Sequence, residues 1–236
     1  MSIRITLSNV EYSRGTFKLA VDTPCTFAAG INYVVGRNGA GKSTALKLLA
    51  TAVEPEKGSM IFTMLTSEEG AGMHRKQLSV EEARALMGFL PQHFTGYSDM
   101  TIERYLTCMA FHKGIPHRLV KAALEKWLMD SKLLELRKRK LRALSGGQLQ
   151  KVGLIQALIN QPRICILDEP FEGLDNQEKT FFKRVIYKLS HHSIIIISTN
   201  FPEDMEQGDQ KSLFYLDEGK LRMYDEMAEV DSLPII

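Results

Sequence analysis

Apolar residues follow two distinct rhythms along this chain. RICIL (Arg163–Leu167) and SIIIIS (Ser193–Ser198) show neither helical period nor alternation. Short continuous apolar runs between polar residues fit strands covered on both faces. INYVV (Ile31–Val35) reads the same way. The second rhythm repeats every three to four residues. In STALKLLATAV it places Leu46, Leu49 and Val53 on one helical side, with Pro55 and Gly58 marking the exit. In HRLVKAALEKWLMD, Val120, Leu124, Trp127 and Leu128 share a face, inside a stretch from about 101 to 135 that reads as helical. GQLQKVGLIQALI and NQEKTFFKRVIYKL are further helices, the second lying between RICIL and SIIIIS. Residues 1 to about 30 give short extended stretches punctuated by Gly15 and Pro24. GSMIFTML returns to strand, and GFLPQ (Gly88–Gln92) is a short strand entering a turn. Strand, helix, strand in succession predicts an α/β core with a mostly parallel sheet, with antiparallel strands from the first thirty residues at one edge.

Composition narrows the class. The length of 236 residues allows one large domain or two small ones. A net charge of +2 is too small to argue for a membrane surface, and no nucleic acid is expected as a partner. The basic run LRKRKLR (Leu136–Arg142) reads as a solvated connection. Cys25, Cys108 and Cys165 are scattered with no CxxC pair, which argues against a disulfide framework or a zinc site and fits a reducing cytosol. The first residues form no apolar signal segment, and no apolar run approaches the roughly 20 residues that span a bilayer. Any service to a membrane is therefore expected to pass through another chain.

GRNGAGKST (Gly36, Arg37, Asn38, Gly39, Ala40, Gly41, Lys42, Ser43, Thr44) fits G-x-x-x-x-G-K-[ST] between a strand and a helix. Its glycines let backbone N–H groups turn inward with no Cβ in the way, and the helix start adds partial positive charge. Such a loop cradles phosphates. Lys42 would reach the β and γ oxygens, and Ser43 would give its hydroxyl to Mg²⁺. A carboxylate for that ion belongs at the carboxyl end of a neighbouring strand. RICILDEP supplies Asp168 there, and Glu169 next to it could orient or deprotonate an attacking water. Further on, LSGGQ (Leu144–Gln148) opens a helix. Ser145 and Gln148 make a capping box, while Gly146 and Gly147 bare the first-turn N–H groups as a second anion site.

These motifs, in this order and spacing, resemble those of ATP-binding cassette (ABC) ATPases, and the likeness covers essentially the whole chain. It implies a P-loop NTPase core with a mostly parallel sheet, an N-terminal antiparallel β subdomain and an inserted helical subdomain. The chain would form one domain over 1–236, with the core and β lobe at about 1–92 and 144–236 and the helical part at about 93–143. By the resemblance, Tyr12 stacks on adenine, Gln92 is the glutamine that joins Ser43 and Asp168 at Mg²⁺, and Glu169 is catalytic. Asp175, in GLD (Gly173–Asp175), matches the D-loop. Ser145, Gly146, Gly147 and Gln148 complete the ATP site of a second cassette, in a homo- or heterodimer. Residues from roughly 93 to 143 would contact a membrane permease, leaving the protein cytoplasmic and peripheral at the inner membrane face.

One position departs from the family pattern. At the end of the last core strand, where the family usually has histidine, stands Asn200. An asparagine can donate a neutral hydrogen bond to a phosphate oxygen but cannot become cationic. Near-normal ATP binding and slow hydrolysis are therefore expected. The function implied is the ATP-binding and hydrolysing subunit of an ABC transporter with a separate permease. Two alternatives stand beside it: a soluble ABC ATPase outside transport, such as one in cluster assembly, and a low-activity cassette paired with a more active subunit.

Overall fold

A computed structural model describes residues 2–68, 72–200 and 211–224, so the expected single unit of 1–236 runs beyond the described residues. Its centre is an 11-stranded mixed sheet. Parallel strands β4 (Gly30–Val35), β7 (Met87–Leu90), β8 (Ile164–Asp168), β9 (Ile194–Ser198) and β10 (Lys211–Asp217) stand in the order β10-β4-β9-β8-β7. The four isoleucines of β9 have no period because both faces are covered. Ile195 and Ile197 join one buried cluster, and Ile194 and Ile196 join the other. β8 divides in the same way, with Cys165 and Leu167 on one side and Ile164 and Ile166 on the other.

The N-terminal lobe is antiparallel. β1 (Ser2–Arg14) pairs with β2 (Phe17–Val21), β3 (Cys25–Phe27) and β5 (Lys57–Glu68), and β5 pairs with β6 (Gly72–Leu78). The short stretches expected before residue 30 therefore include one 13-residue strand, bulged between Ser8 and Glu11. β11 (Lys220–Tyr224) joins this lobe to the parallel core, antiparallel to β10 and parallel to β2.

Six α-helices lie among the described residues, and two departures from the periodic reading matter. α1 (Lys42–Leu49) stops before Val53, because Thr51 turns to φ 56. Arg84, in α2 (Val80–Ala85), holds that turn by donating from Nε to Thr51 Oγ1 and from Nη2 to Thr51 O, both at 2.7 Å. The helical stretch read from 101 to 135 is two helices, α3 (Ile102–His112) and α4 (His117–Asp130), parted where Gly114 adopts φ 74 ahead of Pro116. Short 3₁₀ turns at 134–136 and 141–143 lead on to α5 (Gly146–Leu158). α6 (Asn176–Ser190) crosses from β8 to β9. In the basic run, Lys140 and Arg142 reach Asp99 at 3.6 and 3.4 Å.

Candidate functional site

The parallel strands end on one side of the sheet, and their tips carry the polar residues. β4 delivers the chain into residues 36–41, and α1 begins at Lys42 behind Gly41, which adopts φ 105. A Cβ at Gly36 would stand 2.1 Å from Leu216 O, and one at Gly41 would stand 2.0 Å from Phe17 Cζ. The loop is thus pressed between β10 and a phenyl ring, and only glycine fits at either contact. Lys42 is 6% exposed and donates to Gly36 O at 2.7 Å and to Arg37 O at 3.0 Å, so the ammonium closes the loop on itself. Burial holds its pKa below the ordinary lysine value, while Glu169 and Asp168 pull the other way.

Those two carboxylates come from β8. Asp168 is 2% exposed and accepts from Ser198 Oγ at 2.5 Å. The same hydroxyl accepts from Glu169 N at 3.0 Å, so one serine at the tip of β9 fixes both residues. Glu169 sits at φ 48, a left-handed conformation that turns its side chain out of the strand's alternation. Its Oε1 accepts from Asn200 Nδ2 at 2.7 Å, and its backbone carbonyl accepts from Gln150 Nε2 at 3.1 Å. Asn200 Oδ1 is buried and without a partner among the described residues. Across the site, Ser43 Oγ donates to Gln92 Oε1 at 3.3 Å, just past the end of β7. Ser43, Gln92 and Asp168 present two neutral oxygens and one carboxylate, a donor set suited to a hard divalent cation such as Mg²⁺.

Asp175 caps α6, accepting from Glu178 N at 2.8 Å, so its carboxylate is already engaged. At the start of α5, Ser145 Oγ accepts from Gln148 N at 3.3 Å and Gln148 Oε1 accepts from Ser145 N at 3.0 Å, a complete capping box. Gly147 lies against Gly173, whose carbonyl would be 2.4 Å from a Cβ at Gly147, while Gly146 has open space beside it. Gln150, on the next turn, links this helix to Glu169 and Pro170.

Sequence reasoning missed three contributors. Ser198 ends the isoleucine strand and reads as a terminating polar residue. Gln150 carries no motif. Phe17 is the aromatic residue that touches the cradle, and Tyr12 stands two rungs along the same hairpin, opposite Leu19 and partly buried. Only the strand pairing, with Arg14 opposite Phe17, reveals which ring faces Gly41.

The family model described as ABC transporter matches residues 26–172. The sulfate/thiosulfate import ATP-binding protein CysA of Thermosynechococcus vestitus is 29% identical over 98% of this chain and 66% of its own length. The uncharacterized ABC transporter ATP-binding protein YxlF of Bacillus subtilis is 32% identical over 74% of this chain and 54% of its own. The chain thus spans less than two thirds of these curated relatives. In fold it is similar to an ATP-binding subunit of an ABC transporter (TM-score 0.77, 22% identity, 97% of this chain and 93% of that one). It is also similar to a dimeric post-hydrolysis ATP-binding cassette bound to ADP and Pi (TM-score 0.74, 21% identity, 93% and 97%).

Proposed function

This chain belongs to the ABC transporter family, as one of its ATP-binding cassettes, and from that premise we propose that it binds and hydrolyses ATP to drive a membrane permease carried on a separate polypeptide. One observation carries the ATPase reading. Lys42, Asp168 and Glu169 converge at the tips of β4 and β8, with both carboxylates acting on a lysine whose ammonium donates to the loop carbonyls of Gly36 and Arg37. Phosphate oxygens are the natural replacements for those carbonyls, because they put a charged acceptor in direct hydrogen-bond contact with the buried ammonium, where the carbonyls offer a neutral one.

Residues 36–44 hold the phosphates in this reading, and an aromatic ring of the β1–β2 hairpin, Tyr12 or Phe17, lies beside the base. Ser43, Gln92 and Asp168 would hold Mg²⁺, which would supply positive charge to the phosphates. Glu169 orients and deprotonates the attacking water, and Asn200 fixes Glu169 in turn. Ser145, Gly146, Gly147 and Gln148 face the nucleotide of a second cassette, and the exposed first turn of α5 supports that role. Gln92 and the region around 93–143 pass the movement to the permease at the inner membrane face. No helix among the described residues is long and apolar enough to cross a membrane.

The deciding measurement is Mg-ATP binding and single-turnover hydrolysis by wild type and Glu169→Gln. Wild type should bind and cleave. The variant should bind equally well, cleave at least 100-fold more slowly and accumulate as a nucleotide-bound dimer, alone or with its natural mate. Failure of wild type to retain Mg-ATP overturns the reading. Asn200 favours a second reading, a low-activity cassette that pairs with a more active subunit, since its bond to Glu169 is neutral on the donor side.

A further inference from the structure

At the opposite end of the sheet from the cradle, where β8 and β9 begin, a groove of about 870 Å³ runs between α4 and α6. Its floor is apolar. Trp127 and Phe181 meet edge to face with ring centres 6.3 Å apart, flanked by Leu158, Val185 and Leu189. Its rim is basic, with Lys126 from α4, Arg163 at the start of β8, and Arg184 and Lys188 from α6. Asp130 is the one carboxylate along the lining. Among the described residues none of these four cations pairs with a carboxylate, for the ion pairs of this chain lie elsewhere. Two polar atoms of the wall have no partner among the described residues. Ser193 lines the groove at 2% exposure with its Oγ unbonded, and Asn160 presents a buried, unbonded Oδ1.

A buried hydroxyl and a buried carbonyl without protein partners are costly unless a ligand or an ordered water satisfies them. Four cations without a carboxylate partner, of which Arg163 donates to His192 O at 3.2 Å, stand above an aromatic floor and define what that ligand is. We propose that this groove binds an amphipathic organic anion, a carboxylate, sulfonate or phosphate carried on an apolar body. The head sits among Lys126, Arg184 and Lys188, and the body lies on Trp127 and Phe181. Ser193 donates its O–H to the ligand, and Asn160 accepts from a ligand O–H or N–H. The volume falls within the range of roughly 300–1,000 Å³ typical of small-molecule pockets. An occupant would bridge α4 and α6 and restrain one against the other. This inference does not depend on the ATPase reading.

Trp127 is the only tryptophan of the chain, so its fluorescence reports the groove alone. The probe is 11-bromoundecanoate below its micelle concentration, added to the full chain, because bromine quenches indole on contact. Saturable quenching is expected, at least tenfold weaker for the neutral 11-bromo-1-undecanol. The double variant Arg184→Glu/Lys188→Glu, at exposed positions, should weaken carboxylate binding at least tenfold, Ser193→Ala by about threefold, and Asp130→Asn not at all. Non-saturable quenching overturns the proposal, as does equal quenching by the alcohol or indifference to charge reversal. Quenching only by vesicles of brominated phosphatidylglycerol would overturn it in favour of a membrane contact.

Discussion

Asn200 and Lys42 each do a task that their residue type makes conditional. Asn200 Nδ2 holds Glu169 Oε1 at 2.7 Å while its own Oδ1 stays unbonded, so it orients the carboxylate without bringing a charge. Loss of a charged donor at a transition state costs on the order of 2–4 kcal/mol, a factor of roughly 10² to 10³ in rate. Asn200→His should therefore accelerate single-turnover hydrolysis by at least tenfold with little change in ATP affinity. An unchanged rate would mean that the asparagine already suffices. Lys42 is useful to a phosphate only when charged, and burial lowers its pKa. Nucleotide affinity should fall as pH rises through that lowered value, earlier than an ordinary lysine at 10.5 would lose its charge. Stability without nucleotide moves the other way. The unfolded chain binds this proton more tightly than the folded one, so the contribution of Lys42 to stability improves over the same rise. Equilibrium dialysis and urea titrations across alkaline pH measure the two slopes, and Lys42→Met should flatten both.

Helix starts and close backbone approaches carry the next level. α2, α5 and α6 all begin with complete capping boxes, at Ser79/Glu82, Ser145/Gln148 and Asp175/Glu178. Each cap satisfies two backbone donors that would otherwise be orphaned at the helix start. Ser145→Ala should lower the unfolding free energy by about 1 kcal/mol in urea. It should also weaken the nucleotide-bound dimer, which separates a local cap from a cap that faces a partner. β7 approaches α5 so closely that a Cβ at Gly88 would lie 2.0 Å from Ala157 O. Gly88→Ala should destabilise by about 2–3 kcal/mol, because backbone on both sides must shift. A urea midpoint equal to wild type would show that the approach can relax. These devices were unevenly visible in the sequence. S-x-x-Q at 145–148 could be read directly, whereas Gly88 looks like an ordinary strand glycine until α5 is laid across it.

At the scale of the molecule, two apolar layers sandwich the parallel strands, and a polar tie joins the helices of the layer formed by α3 to α6. Lys151 in α5 is 6% exposed on its side chain, bonds Glu178 of α6 at 2.5 Å and donates to Ser131 O at 2.9 Å. The tie fixes α5, which carries Gln150 and the capping box, against α6 and the end of α4. Breaking one partner of a buried pair leaves an uncompensated charge and costs roughly 3–5 kcal/mol. Lys151→Met should lower stability by about 3 kcal/mol in chemical denaturation, and a loss below 1 kcal/mol would mean that Glu178 finds water. Much of the architecture was legible beforehand. The β-branched runs announced strands with both faces covered, and Pro55 and Gly58 follow a real helix end, whereas the break ahead of Pro116 emerges only in the fold. β6, α2 and β11 have exposed or alternating patterns that give weak local signals, whereas β10 escapes the reading although its run LFYL is buried throughout like those of β8 and β9.

The sequence by itself determined the chemistry on offer and the type of most core elements. Phosphate cradles and capping boxes depend on residues a few positions apart, and fully buried strands need no partner to declare themselves. Only the tertiary structure decided which distant residues share the site. Ser198 reaches Asp168 across 30 positions, Asn200 reaches Glu169 across 31 and Ser43 reaches Gln92 across 49. It also set Phe17 rather than Tyr12 against Gly41. The physical reason is that strand order and register, which bring those atoms together, are fixed by burial summed over the whole sheet. No local run of residues encodes that sum.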